Sequence, residues 1–287
     1  MNPTKARTRE ARMAEAETLH ATLTAQVEAL ASSDHWARFL NFAASFHTYS
    51  LNNVLLILAQ NPDATHVAGY QHWQELGRQV TKGQHGIRIY ATATRRTTPT
   101  ANHPDQTGEE EEAERVRYFP IVSVFDITQT EPLPGTTPDP DVVQPLTGSD
   151  DHGITTPLTA HLQQLGWSVD TEPMTEARNG YTDPTARKVL IRAHVSPAQH
   201  AKTLLHEAAH ILLEHTNTPT EYVLHRGRME TEAESVAYIT AALAGLDTAG
   251  YSVGYITGWA GGDVDLIRDT AARVLSTVHR FANILEP

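Results

Sequence analysis

The sequence has no cysteine, which excludes disulfides, thiolate metal sites and a cysteine nucleophile. It also lacks a long apolar run. The longest, Val54–Ala59, is far below the roughly 18 residues that a membrane span needs. The charged N-terminal stretch MNPTKARTREARMAEAE has no apolar segment of the secretory type, so a cytoplasmic protein without a membrane partner is expected. Positive charge is scarce: 22 Lys and Arg face 34 Asp and Glu, for a net charge of −12. Counting glycine and leaving out tyrosine, the apolar share is about 43 %, slightly under the roughly 45–50 % of globular chains. That small polar excess points to linker material in a folded protein.

The charge is unevenly spread. Residues 1–100 hold ten Lys and Arg against seven Asp and Glu, a balance of +3, and residues 101–287 hold twelve against twenty-seven, a balance of −15. A polyanion partner therefore suits the first third and not the remainder.

At 287 residues, two domains are expected. The first thirty residues read as a helix, and a second starts near Asp34 with Trp36, Phe39, Leu40 and Phe46 on one face. Ser50 precedes a third helix that stops at Asn61-Pro62. Strands are expected around His66–Ala68, over GIRIYATA and over RYFPIVSVFDI, with a turn of helix carrying Trp73. The polar run 97–114 reads as a solvated loop. Residues 133–155 read as a flexible linker between a domain at 1–132 and one at 156–287. The second opens with a helix and two strands; Ser196-Pro197 then announces a helix, and two more follow. The class is α+β: a mixed N-terminal domain and a mostly helical second domain with a small sheet.

Residues 206–210 read His-Glu-Ala-Ala-His. On a helix, His206 and His210 lie one above the other and can grip one ion, while Glu207 on the adjacent flank can reach a water without ligating the ion. Random order would give roughly 0.06 such matches in a chain of this composition, so helical context carries much of the weight. A third ligand is offered by METEAESVA, where Glu230 and Glu234 share a face at i, i+4 and Glu232 points elsewhere. One of the pair can ligate while the other hydrogen-bonds a ligand imidazole. These residues alone leave that choice open.

His206-Glu207-x-x-His210 followed by Glu230-x-x-Ala233 resembles the gluzincin metallopeptidases, and more locally the ImmA/IrrE-like peptidases. The resemblance implies zinc held by His206, His210 and Glu230, Glu207 as the proton-transferring residue, and Glu234 behind a ligand histidine. The family often has Asp or Asn at that last position, so the assignment of Glu230 over Glu234 stays open. The run from Trp36 to Ala91, with VFDITQTEP further on, resembles the single-stranded-DNA-binding domain of ArdC-type antirestriction proteins, which precedes a zincin-like domain in such proteins.

In the first domain Arg78, Lys82, Arg88, Arg95 and Arg96 interleave with Tyr70, Trp73 and Tyr90, a pattern that suits phosphate tracking beside aromatic platforms. Taken without the resemblance, these side chains read more readily as core aromatics and a solvated cationic face. The function expected is a single-stranded-DNA-binding zinc metallopeptidase of antirestriction type, cutting an unidentified protein substrate. The competing reading is a DNA-binding antirestriction protein with a structural metal site and no peptidase activity.

Overall fold

A computed structural model gives the fold and describes residues 9–96, 115–133, 151–175, 178–217, 219–246, 260 and 263–286. The expected loop at 97–114 and most of the expected linker lie outside these residues.

The first half opens with α1 (Arg9–Ala29), α2 (Ser33–Ser45) and α3 (Leu51–Gln60). Ser32 caps α2 by accepting from the His35 backbone N–H. Helix α3 is apolar almost all round, so it sits centrally, packed by α1, α2 and the sheet. Next come β1 (Val67–Gly69), α4 (Tyr70–Glu75), β2 (Arg78–Val80), β3 (Ile87–Tyr90), β4 (Ala93–Arg96), β5 (Arg115–Tyr118), β6 (Ile121–Asp126) and β7 (Thr130–Pro132). Strands β1, β6 and β3 form an antiparallel sheet in that order, while β2 pairs with β7 and β4 with β5. The run expected as one strand breaks at Phe119-Pro120 into β5 and β6, because proline has no N–H for the ladder. Asp126, fully buried, accepts from the backbone N–H groups of Thr65, His66 and Thr128 and so ties the entry of β1 to the exit of β6. Burial works to raise its pKa, but a hydrogen bond from the Thr128 hydroxyl, together with these backbone bonds, outweighs it and holds the carboxyl below the usual carboxylate range.

The second half runs α5 (Thr155–Gln164), β8 (Ser168–Glu172), β9 (Gly180–Asp183), β10 (Lys188–Arg192), α6 (Pro197–Leu212), α7 (Pro219–Leu243) and α8 (Val264–Leu285). Strand β10 is central, parallel to β8 and antiparallel to β9. Ser196 caps α6 through the Gln199 N–H, with Pro197 in the first turn. Helix α7 begins earlier than its apolar pattern suggests and is kinked at His225, whose φ of −116° and ψ of 22° are not helical.

The halves meet through more than the chain joining them. Trp36 is fully buried, and its indole N–H donates to Ser235 Oγ on α7 at 3.1 Å. Tyr238, one turn along α7, donates to Asn41 on α2. One apolar core runs continuously through both halves. Among the described residues, no helix is long and apolar enough to cross a membrane.

Candidate metal centre

Helix α6 buries Leu204, Leu205, Ala208 and Leu212 and turns His206 and His210 toward α7. Their Nε2 atoms stand 3.2 Å apart. Glu230 on α7 brings Oε2 to 3.4 Å from His206 Nε2 and 3.8 Å from His210 Nε2. A tetrahedral ion with ligands at about 2.0–2.1 Å has ligand–ligand edges of about 3.3 Å, so these donors outline a coordination face of the right size. Among the described residues this trio is the only cluster of donors suited to a metal ion. Glu234 lies on the other side of the ring, with Oε2 3.0 Å from His206 Nδ1. The two glutamates that share a face thus reach opposite nitrogens of one imidazole.

Burial opposes the charged form of His206. Hydrogen bonds to Glu230 and Glu234 and the nearby Glu207 charge outweigh that and push its pKa up to about 10. The surroundings therefore favour positive charge at this point.

Glu207 is buried and accepts a hydrogen bond from Thr182 Oγ1 at 2.7 Å. Strand β9, which supplies Thr182, was not evident in the sequence. It lies close against α6 at Gly180, where a Cβ would meet Thr203 Cγ2 at 2.5 Å and the Leu190 carbonyl at 2.9 Å. Glu207, the two histidines and Glu230 line one cavity of about 480 Å³, together with Arg178 and Arg226. The sequence did not single out Arg178, whose guanidinium lies 5.1 Å from the centre of the Tyr181 ring.

His215 and Glu232 are the other finding. Helix α6 ends with the His215 N–H bonded to the His210 carbonyl and the Glu214 N–H to that of Ile211, with Glu214 at φ 64°. This is the paired-bond helix stop that usually carries glycine at the left-handed position, and it brings the last residue back against the residue five earlier. His215 Nδ1 accordingly lies 3.0 Å from His210 Nδ1, and its Nε2 lies 2.9 Å from Glu232 Oε2. Glu232 is 1 % exposed and also takes Arg228 Nε at 2.8 Å and Arg273 Nε, from α8, at 3.4 Å. Burial works to raise the Glu232 pKa, but His215, Arg273 and Arg228 hold it below the ordinary value. Burial lowers that of His215. Helical spacing sends Glu232 away from the face that Glu230 and Glu234 share, and there burial joins it to His215.

The nucleic-acid candidates scatter. Trp73 is a correction: it is 3 % exposed and donates to the Phe125 carbonyl at 2.8 Å, so its indole belongs to the core and is closed to a base. Arg88 is engaged with Glu15 at 2.7 Å and with Ser123. Arg78 donates to Thr130 Oγ1 at 2.8 Å. Tyr90 is half-buried against the core, whereas Tyr70 and Lys82 are exposed. The side chains of Arg95 and Arg96 lie outside the described set. Two aromatic side chains passed over in the sequence, Tyr118 and Phe119, are 48 % and 63 % exposed.

Fold and site define the class: an α+β protein with a candidate metal centre of two histidines and one carboxylate. Residues 13–125 match the N-terminal domain of anti-restriction factor ArdC, and residues 164–243 match the IrrE N-terminal-like domain of peptidase family M78. The chain thus combines an N-terminal domain like that of anti-restriction factor ArdC with an M78 peptidase-like domain. It is 23 % identical over 286 residues to an uncharacterised protein of Bacillus anthracis, covering 89 % of this chain and 48 % of that protein. The chain thus spans about half the length of that curated relative. Metal-free antirestriction protein ArdC from the R388 plasmid is similar in structure at a TM-score of 0.50 and 20 % identity, covering 83 % of this chain and 85 % of the other. The Mn(II)-bound structure of the same protein gives a TM-score of 0.46 at 20 % identity, over 83 % and 89 % of the two chains.

Proposed function

We propose that this chain is a single-stranded-DNA-binding protein of antirestriction type with a metal-dependent peptidase centre. The observation that carries the peptidase reading is the convergence of His206, His210 and Glu230 on one point in a cavity that Glu207 also lines. The donor set of two imidazoles and one carboxylate suits zinc, and three protein ligands facing a cavity fit an open site better than a closed structural one. His206, His210 and Glu230 would hold a divalent ion there, which would supply Lewis acidity toward a carbonyl and toward a water molecule. Glu234 fixes the His206 ring by accepting its Nδ1–H, which leaves Nε2 free to ligate. Glu207, oriented by Thr182, takes the proton of the attacking water and passes it to the leaving amine.

The test is Glu207→Gln. Zinc content should be unchanged, because Glu207 is not a ligand, while peptide hydrolysis falls by about 10²–10⁴-fold. Full hydrolysis by this variant would remove the catalytic assignment, and loss of zinc would make Glu207 part of the coordination.

The DNA reading draws on the ArdC family match and on the exposed aromatics Tyr70, Tyr118 and Phe119, with Lys82 and Arg117 exposed in the same half. Stacked bases contribute about 1–3 kcal/mol each. Phe119→Ala should therefore weaken binding of an oligothymidine by about 5- to 160-fold and leave the salt slope alone. Lys82→Ala should reduce that slope by about 0.7 if it contacts a phosphate. Wild type that binds duplex as well as single strands would count against this reading.

A further inference from the structure

We infer that Glu232 is a positioning residue that, through His215, decides which nitrogen of His210 carries the proton. The inference rests on the proposed metal site and extends it to a residue outside the coordination. If His210 ligates through Nε2, which faces His206 and Glu230, its proton must sit on Nδ1. That Nδ1–H points at His215 Nδ1, 3.0 Å away, which must then accept. A neutral imidazole accepts at only one nitrogen, so the His215 proton is on Nε2 and is donated to Glu232 Oε2 at 2.9 Å. A carboxylate only accepts, and its other oxygen, Oε1, is occupied by Arg228 and Arg273. Every donor and acceptor in the series Glu232–His215–His210 is thereby set from the buried end. The helix stop at Glu214 holds His215 against His210, and Arg273 and Arg280 of α8 bond the Leu213 and Leu212 carbonyls at that same stop.

The series predicts an inversion. In Glu232→Gln the two arginines still require an acceptor, so the amide oxygen stays with them and the NH₂ turns to His215. His215 then accepts at Nε2, carries its proton on Nδ1 and donates to His210, whose own proton moves to Nε2, where the ion would bind. The variant preserves shape and reverses the direction of donation. Loss of such an outer partner typically costs about 10- to 100-fold in metal affinity.

The experiment uses the full chain, with zinc as the probe. Zinc affinity is measured by competition with a chelating dye for wild type, Glu232→Gln, His215→Ala and the double variant, and imidazole ¹⁵N shifts are recorded on zinc-loaded, histidine-labelled wild type. The expected result is a 10- to 100-fold loss for Glu232→Gln. In the double variant the Gln substitution should add less than about threefold to the loss from His215→Ala, because its effect passes through that ring. The wild-type shifts should report protons on His210 Nδ1 and His215 Nε2, a readout that needs no variant to fold. A proton on His215 Nδ1, zinc affinity in folded Glu232→Gln within threefold of wild type, or equal losses from the Gln substitution in both backgrounds would each overturn the inference while the metal reading stands. Wild type that binds no zinc would overturn both.

Discussion

His206 sits among Glu207, Glu230 and Glu234, and without an ion the proton is the cation that this field retains. Its folded pKa of about 10 lies above the unfolded value near 6.5, so the stabilisation it gives the metal-free protein is complete below about pH 6.5. That contribution is lost as pH rises through about 10. Binding an ion at Nε2 must displace the proton, so between about pH 6.5 and 8.5 zinc affinity should rise by about one decade per pH unit. Titration with buffered zinc at several pH values checks this, and a flat profile would mean that His206 is already neutral. At this scale the sequence was informative where chemistry is local. The His-Glu-x-x-His spacing is set by one helix, and Glu230 and Glu234 were paired by the same rule of four. What it could not assign was which carboxylate faces which nitrogen. Nor could it show that Glu232 reaches His215 from the next helix, since burial and the helix stop decide both.

Strand β9 orients Glu207 and was the element hardest to anticipate. Gly-Tyr-Thr-Asp has no apolar alternation and reads as a turn, so only its pairing with β10 reveals it as an edge strand. The capped helix α6, by contrast, was legible from Ser196-Pro197 onward because its cap, first turn and apolar face are all written locally. Gly180 couples the two elements. A methyl group there would overlap Thr203 and the Leu190 carbonyl, so Gly180→Ala must move β9 away from α6 and carry Thr182 off Glu207. Overpacking of this kind costs about 1–3 kcal/mol, and a displacement near 1 Å at a reacting group can cost about 100-fold in rate. Gly180→Ala should therefore keep zinc, unfold at lower temperature and lose most of its turnover. Unchanged melting and turnover would show that the strand has slack at this position.

Over the whole molecule, the linker composition suggested two domains tethered and free to move, yet α7 belongs to both halves at once. Between Glu230 and Tyr238 this helix faces the candidate metal centre with its glutamates and binds α2 through Ser235 and Tyr238. A sequence shows where chain is polar and irregular, but not that apolar faces on either side of such a segment fit each other. The aromatic face of α2 was visible, and its partner, a helix almost two hundred residues later, was not. Trp36 is the direct probe of this interface. Trp36→Ala should cost about 3–5 kcal/mol, the amount usual for emptying a large buried aromatic site. Because the core is continuous, wild type should unfold in one cooperative transition, with zinc release, loss of helix and change in tryptophan emission coinciding. Zinc release well ahead of the other signals would mean that the second half opens alone. Coincident transitions in wild type that separate in Trp36→Ala would identify this indole as what joins the N-terminal half to α7.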